Sequence, residues 1–450
     1  FSSRRRHTRS AYVTGVLTCA LPIFGMSMLA ITNCVKDGAV QDMFMSEPAM
    51  GAYSSLLEEK VPTSSLVLKL TEAESEKPRK EGCLQWEKRG SELCFENPSC
   101  ALLSNGVYNI MLTETGISSA VCADMTVYRS PFKQLGQGHG PELWLKCGDD
   151  RLSLLPEPEE NAAFMWEFSE ISCIFSRVTD AFTSRCTIAA GGGENGELRI
   201  IELSAKQGIE NAILNFSFEP VLADSNDYVN HPAYWRLGLE LKRDGNCLLL
   251  RRLPRGNQPE SWLCLACDRP MQAVAERVGN EGAISEPFVH AAVDISLKAA
   301  ERFTLRFAIC VGATREEAYA GAQHMLAIGP AEYGAMVSAC ASLTHMEPKE
   351  LDAAMELVGR LWFVRAARPF PDKRSLWQYG ISGDLPIICC ENAEEAETLT
   401  RQFCLIRSCG IYADLVFLTD EGGEYYRPVY AKVRDTLALH GLEALIGTYA

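Results

Sequence analysis

Residues 237–250 read LGLELKRDGNCLLL, and their alternation decides the fold class. Leu237, Leu239 and Leu241 alternate with Gly238, Glu240 and Lys242, the period of a half-buried strand. Asp244-Gly245 then offers residues that accept positive φ in a tight hairpin turn, and Cys247–Leu250 returns as the partner strand. The period extends both ways along the chain. After a Ser104-Asn105-Gly106 turn, Tyr108, Ile110 and Leu112 alternate with Asn109, Met111 and Thr113. Further on, Phe303, Leu305, Phe307 and Ile309 are expected to face a core while Thr304 and Arg306 face out. Strands recurring between turn residues over 101–312 predict a mainly-β fold, a large antiparallel sandwich of two layers that could begin as early as residue 64.

Gly191-Gly192-Gly193-x-x-Gly196 has the look of a phosphate loop. It lies between two strand-like segments with no helix behind it, so no helix N-terminus would face an anion, and a hairpin loop is the better reading.

The period changes at the sandwich's far end. Thr314 and Glu317 form a capping box for a helix running to about Leu326, and two further helices are expected around Ala331–Cys340 and Pro348–Val364. A small α/β unit follows: Leu385–Cys390 as a buried strand, then a helix opened by an Asn392/Glu395 capping box. Its apolar face would carry Ala396, Leu399, Phe403 and Ile406; Gly410 stops it. Ala413–Thr419 reads as a second strand and Val429–His440 as a last helix. Upstream, residues 25–62 read as short helices, with Ser27 capping a turn of Met28, Leu29 and Ile31 and a second segment over Pro48–Glu59; 63–100 read as a linker. The organisation expected is therefore 1–24, 25–62, 63–100, a sandwich at 101–312, helices at 313–375 and the α/β unit at 376–450.

Residues 1–24, FSSRRRHTRSAYVTGVLTCALPIF, combine four arginines with a broken apolar stretch. They resemble a translated sequencing adapter more than a secretory signal or a basic arm, and are expected to lie outside any core. The chain stops at Ala450 just after a helical segment, as a truncated gene would.

The net charge is −15, which opposes binding to nucleic-acid phosphates. No run approaches the ~20 apolar residues of a membrane span. The 18 cysteines are scattered, often within apolar runs such as Ile387-Ile388-Cys389-Cys390, which points to a reducing cytoplasm rather than a disulfide framework. The lone Cys264-x-x-Cys267 pair lacks a second pair or nearby histidines, so packing is preferred to metal binding.

No nucleophile elbow, His-x-x-x-His pair or Walker loop is present, and no cofactor is expected. Glycoside chemistry needs two carboxyl groups, or one acid plus phosphate, aimed at one bond, and 58 acidic residues do not single out a pair. One loop stands apart, LWQYGISGDLP over Leu376–Pro386. Trp377 and Tyr379 could stack on pyranose rings, with Ser382 and Asp384 hydrogen-bonding sugar hydroxyls. The competing reading is a domain-joining turn in which Gly380 and Gly383 supply unusual backbone angles.

The same loop, with DLVFL (Asp414–Leu418) and EGGEYYRP (Glu421–Pro428), closely resembles the region preceding the helical barrel in glycoside hydrolase family 94. LLSNGVYNIMLTETG (Leu102–Gly116) resembles that family's first supersandwich strands, and Asn230-His231-Pro232-Ala233-Tyr234 its His-Pro-aromatic strand start, with Arg251-Arg252 as a basic pair further on. GMSMLAITN (Gly25–Asn33) and LLEEKVP (Leu56–Pro62) resemble the tail of the glucoamylase-like transglycosylation domain found in cyclic β-1,2-glucan synthases. The chain departs from the family at Val127–Gly136 and Ala275–Gly282.

The resemblance implies a galactose-mutarotase-like β-supersandwich, linker helices and a small α/β unit, with the catalytic (α/α)6 barrel beyond Ala450. It implies a parent, phosphorylase or glycosyltransferase, that cleaves or transfers β-linked glucan, β-1,2 in linkage. Inorganic phosphate would be its co-substrate and β-glucan oligosaccharide its partner. A homodimer is possible, and the parent could be anchored to the inner membrane with this part on the cytoplasmic side. The family's general acid and phosphate ligands match no position here, so no catalytic residue is assigned. A stand-alone carbohydrate-binding or interaction module is the alternative.

Overall fold

The computed structural model describes residues 27–46, 85–94, 98–129, 140–157, 162–224, 232–256, 258–275, 282–284, 288–329, 332–337, 341, 346–363, 373–383, 385–409, 411–421 and 427–447. The chain divides into two compact units, Phe1–Lys80 and Glu81–Ala450. In the first, residues 27–35 and Ala39–Met45 are helical, and Met28, Leu29 and Ile31 are exposed. Residues 1–24 and the expected Pro48–Glu59 helix lie outside the described residues.

In the second unit the strands build three antiparallel sheets. The ten-stranded sheet runs from Glu87–Gly90 through Phe164–Ser169, Cys173–Val178, Phe182–Ala190, Gly196–Ala205, Arg302–Gly312, Ser261–Cys267, Cys247–Arg252 and Leu239–Asp244 to Gly282–Ile284. One five-stranded sheet orders Gln272–Ala275, Val289–Leu297, Ile209–Phe218, Glu142–Cys147 and Asp150–Ser153. The other orders Pro220–Asp224, Met125–Arg129, Ser118–Cys122, Tyr108–Thr113 and Cys100–Ser104. The strand Glu87–Gly90 already pairs inside the segment read as a linker.

The two five-stranded sheets share one length of chain. Ile209–Phe218 belongs to the first and Pro220–Asp224 to the second, so the backbone turns a corner at Glu219, as strands that switch sheets do. Glu219 is buried there and paired with Arg236 at 2.7 Å. Beyond it the pairing of Pro220–Asp224 with Met125–Arg129 shifts register, and Leu222 takes φ 49° within the irregularity. Arg252 lies over this bulge, buried, donating to the carbonyls of Val221, Leu222 and Leu237. Burial lowers its pKa to about 10.

The Leu239–Asp244/Cys247–Arg252 hairpin closes on Asp244 opposite Cys247, as its turn residues require. Leu239 and Leu241 face the core, whereas Leu237 precedes the strand and is exposed. Leu305, Phe307 and Ile309 are buried with Thr304 outward, as the alternation demands. Tyr108–Thr113 breaks the pattern, because all six residues are buried. Its polar positions Asn109 and Thr113 are covered as well, and Asn109 accepts from Ser104 Oγ at 2.6 Å while Thr113 meets Thr115 at 2.9 Å.

Helix Arg315–Ala327 carries the expected capping box, Thr314 accepting from Glu317 N. Its Ala318, Ala322 and Met325 cover the outer face of the ten-stranded sheet. The helix expected at 331–340 is interrupted: Tyr333 forms a β-bridge with Gly191, and α-helical geometry appears at Met336. The triple-glycine stretch is the loop of the Phe182–Ala190/Gly196–Ala205 hairpin, and Asn105 donates to the carbonyls of Gly191 and Glu194 at 2.8 Å each. A Cβ on Gly192 would lie inside van der Waals contact with Glu332 O, which is why small residues are needed where that segment crosses.

In the α/β unit, Ile387–Cys390 and Asp414–Phe417 pair in parallel across helix Ala396–Ser408. The first strand is buried on one face only, since Ile387 and Cys389 are exposed while Ile388 and Cys390 are not. Asn392 and Glu395 bond to each other at 3.3 Å ahead of the helix rather than capping it. Ala396, Phe403 and Ile406 are buried, and Pro428–Leu439 forms the last α-helix. Gly410 lies outside the described residues.

Candidate functional site

The loop singled out from the sequence begins in a 3-10 helix, Lys373–Tyr379. Such a helix eclipses side chains three apart and is used in short pieces. It ends at Gly380 with φ 75°, whose N–H donates to Trp377 O at 3.0 Å, and Ile381 N donates to Leu376 O at 3.3 Å. Gly383 takes φ 72°, so both glycines occupy backbone that a side chain resists. The indole Nε1 of Trp377 donates to the carbonyl of Ser382 at 3.2 Å, tying the helix to the turn that follows.

The loop therefore closes on itself through backbone and indole, leaving both aromatic rings facing solvent. Trp377 is 57% and Tyr379 73% exposed. Ser382 lies in the same turn; Asp384 lies outside the described residues. These rings can stack on an apolar sugar face, and the Tyr379 hydroxyl can exchange hydrogen bonds with water or hydroxyls. Two open depressions elsewhere, of about 330 Å³ beside Gly245–Met271 and about 300 Å³ beside Asn211–Ser296, do not include the loop.

The strongest electrostatics lie inside the sandwich. Glu197, Arg199, Ile201 and Leu203 share one strand face and all point inward. Arg199 Nε donates to Glu197 Oε1 at 2.7 Å, while Tyr128 and Tyr108 donate to Glu197 Oε2 at 2.6 and 3.2 Å. Arg199 Nη2 also reaches Tyr128 Oη at 3.1 Å, and its guanidinium lies over the Phe216 ring. With Glu197 0% and Arg199 1% exposed, no substrate reaches them. Burial, and then the Glu197 charge, hold both tyrosines well above their ordinary range. Composition arguments overlooked this cluster. Its signal was present in GELRIIEL (Gly196–Leu203), where a carboxylate and a guanidinium stand two apart in register with inward Ile201 and Leu203.

Other expected features fall differently. Cys264 and Cys267 lie on opposite faces of one strand, packed in separate cores, so they do not meet. Asn230 and His231 are outside the described residues, and the chain from Pro232 to Arg236 is a short helix rather than a strand start. Tyr234 there stacks under Arg255 at 3.5 Å. Among the described residues, no three His, Cys, Asp or Glu side chains are placed to hold a metal ion. None of the helices among them is long and apolar enough to cross a membrane.

The three large antiparallel sheets have the make-up of a β-supersandwich. Residues 94–278 match the family profile described as the glycosyl hydrolase 94 supersandwich domain. The chain is 23% identical over 465 aligned positions to the cyclic β-(1,2)-glucan synthase NdvB of Rhizobium meliloti strain 1021, covering 89% of this chain. The chain spans 16% of the length of that curated relative. Among solved structures it is similar to a bacterial glucoamylase complexed with acarbose, at TM-score 0.37 and 10% identity, over 60% of this chain and 43% of that one. It is also similar to a human-microbiome protein described as a kojibiose phosphorylase, at TM-score 0.34 and 7% identity, over 62% and 38% of the two chains.

Proposed function

We propose that residues 81–450 are the non-catalytic scaffold of an enzyme that phosphorolyses or transfers β-linked glucose units, β-1,2 in linkage, with inorganic phosphate as co-substrate. The proton donor and the phosphate cradle belong, on this reading, to a helical (α/α)6 barrel of the same parent polypeptide. The supersandwich and its helices give that barrel a rigid surface to dock on. The Leu376–Pro386 loop forms a rim of the sugar cleft, with Trp377 and Tyr379 as stacking faces and Ser382 and Asp384 as hydroxyl partners. The parent works on the cytoplasmic side of the inner membrane, and needs no organic cofactor.

The observation that carries the rim reading is the outward presentation of Trp377 and Tyr379 on a turn held closed by its own bonds. Calorimetric titration of the chain with β-1,2-glucooligosaccharides tests it. Trp377→Ala should weaken binding about fivefold, the loss of about 1 kcal/mol expected for one aromatic contact. Equal affinity of both proteins, or no heat with either, rejects the rim. Because Trp377 is exposed, its melting temperature should stay nearly unchanged.

A further inference from the structure

Three thiols share one face beneath helix Arg315–Ala327. Cys247, Cys264 and Cys310 sit in the small outer core of the ten-stranded sheet, with Leu249 and Ala266 beside them and Ala318, Ala322 and Met325 above. The strand register places Leu249 opposite Cys264 and Cys247 opposite Ala266, so Cys247 and Cys264 are diagonal neighbours on adjacent strands. Cys310 lies directly opposite Cys264 on the other side.

Cys247 differs from its neighbours in what touches its sulfur. The amide Nε2 of Gln323 donates to it at 3.2 Å. Gln323 is itself exposed on the helix, so Cys247 Sγ lies one side chain from solvent at the rim of the helix–sheet contact. We propose that Cys247 and Cys264 are a peroxide-sensitive dithiol, Cys247 being the thiol that is oxidised first and Cys264 the thiol that resolves it.

The neighbouring Cys264 thiol, and then the Gln323 bond against burial's opposing effect, lower the Cys247 pKa and favour its thiolate. Burial and neighbouring charges push the other sandwich thiols up instead. Cys310, Cys267, Cys186 and Cys100 each reach about 12. Cys264 is raised too, by its bond to Cys247 and then by burial, which keeps it a thiol until it is needed.

The chemistry uses hydrogen peroxide as oxidant. Cys247 thiolate attacks one peroxide oxygen, the O–O bond breaks, and the departing hydroxide takes up the proton Cys247 lost and leaves as water. Cys247 is then a sulfenic acid. Cys264 Sγ attacks Cys247 Sγ, the S–O bond breaks, and hydroxide leaves with the Cys264 proton as a second water. Two thiols are oxidised by two electrons and one peroxide is reduced to two waters. Diagonal pairs sit about 7–8 Å apart at Cα, slightly beyond the span of an unstrained disulfide. Closing the bond therefore draws in the Asp244–Cys247 end of the hairpin and takes away the acceptor that Gln323 uses.

Peptide mapping of the intact reduced chain after mild hydrogen peroxide treatment tests this. A linked Cys247–Cys264 peptide pair, reopened by dithiothreitol, is the expected product. In Cys264→Ser the Cys247 peptide should instead carry a dimedone adduct, and Gln323→Leu should slow loss of the Cys247 thiol several-fold. A free Cys247 after the exposed Cys34, Cys94 and Cys389 have been oxidised would overturn the proposal. So would a Cys264–Cys310 linkage in place of the expected one.

Discussion

Removing the charge of Glu197 alone should damage the sandwich more than removing both charges of its ion pair per residue replaced. Glu197 and Arg199 are both enclosed, and the carboxylate accepts from Arg199 and two tyrosines. Breaking one partner of such a pair typically costs about 3–5 kcal/mol, because the other charge stays buried without compensation. Glu197→Gln leaves a guanidinium facing an amide, and Arg199→Met leaves a carboxylate held only by phenols. Each single variant should lose about 3 kcal/mol or more. The double variant should be less damaged than the sum of the two by about 1–3 kcal/mol, the coupling expected of groups in direct contact. Urea unfolding followed by tryptophan fluorescence and far-UV dichroism together reads these differences as shifts in midpoint at constant slope. Losses below about 1 kcal/mol for the singles, or strict additivity in the double, would refute the view that this pair holds two sheets together.

The same cluster sets an alkaline limit. Tyr108 and Tyr128 ionise above their ordinary value of 10.0 in the folded chain. Their contribution is thus fully present below pH 10 and is lost as pH rises above it, because the unfolded chain releases those protons first. Tyr128→Phe should flatten that alkaline decline in a thermal-melt series from pH 8 to 11, while lowering stability at pH 7 by about 1.5–3 kcal/mol for the lost charged hydrogen bond. Gly192→Ala should destabilise the chain, because its Cβ meets the Glu332 carbonyl, whereas Gly193→Ala, with open space around it, should change the melting point little. Equal melting points for the two glycine variants would show that the Tyr333 segment does not press on the hairpin loop.

Much of the architecture was legible because strand alternation is a local property. The Asp244-Gly245 turn names its own hairpin, and Thr314 with Glu317 names its own cap, so both elements lie where the residues put them. What was not legible depends on partners far along the chain. Nothing within Tyr108–Thr113 says that both of its faces will be covered. Nothing around Ala331–Cys340 says that Tyr333 will leave a helical pattern to pair with Gly191. The Asn392/Glu395 spacing imitates a capping box, yet the two side chains satisfy one another and the helix begins later. At the candidate site, the sequence marked the aromatic loop by composition, and both rings do face solvent. The buried Glu197–Arg199 cluster escaped because charge was expected outside, when register with Ile201 and Leu203 should have turned it inward.

Release of glucose 1-phosphate tests the scaffold reading most directly. Incubating the purified chain with β-1,2-glucooligosaccharides and inorganic phosphate should yield none above a no-protein control, because inverting phosphorolysis needs a positioned acid and a phosphate cradle. Release above that control, abolished by replacing any one carboxylate within residues 81–450, would contradict the account.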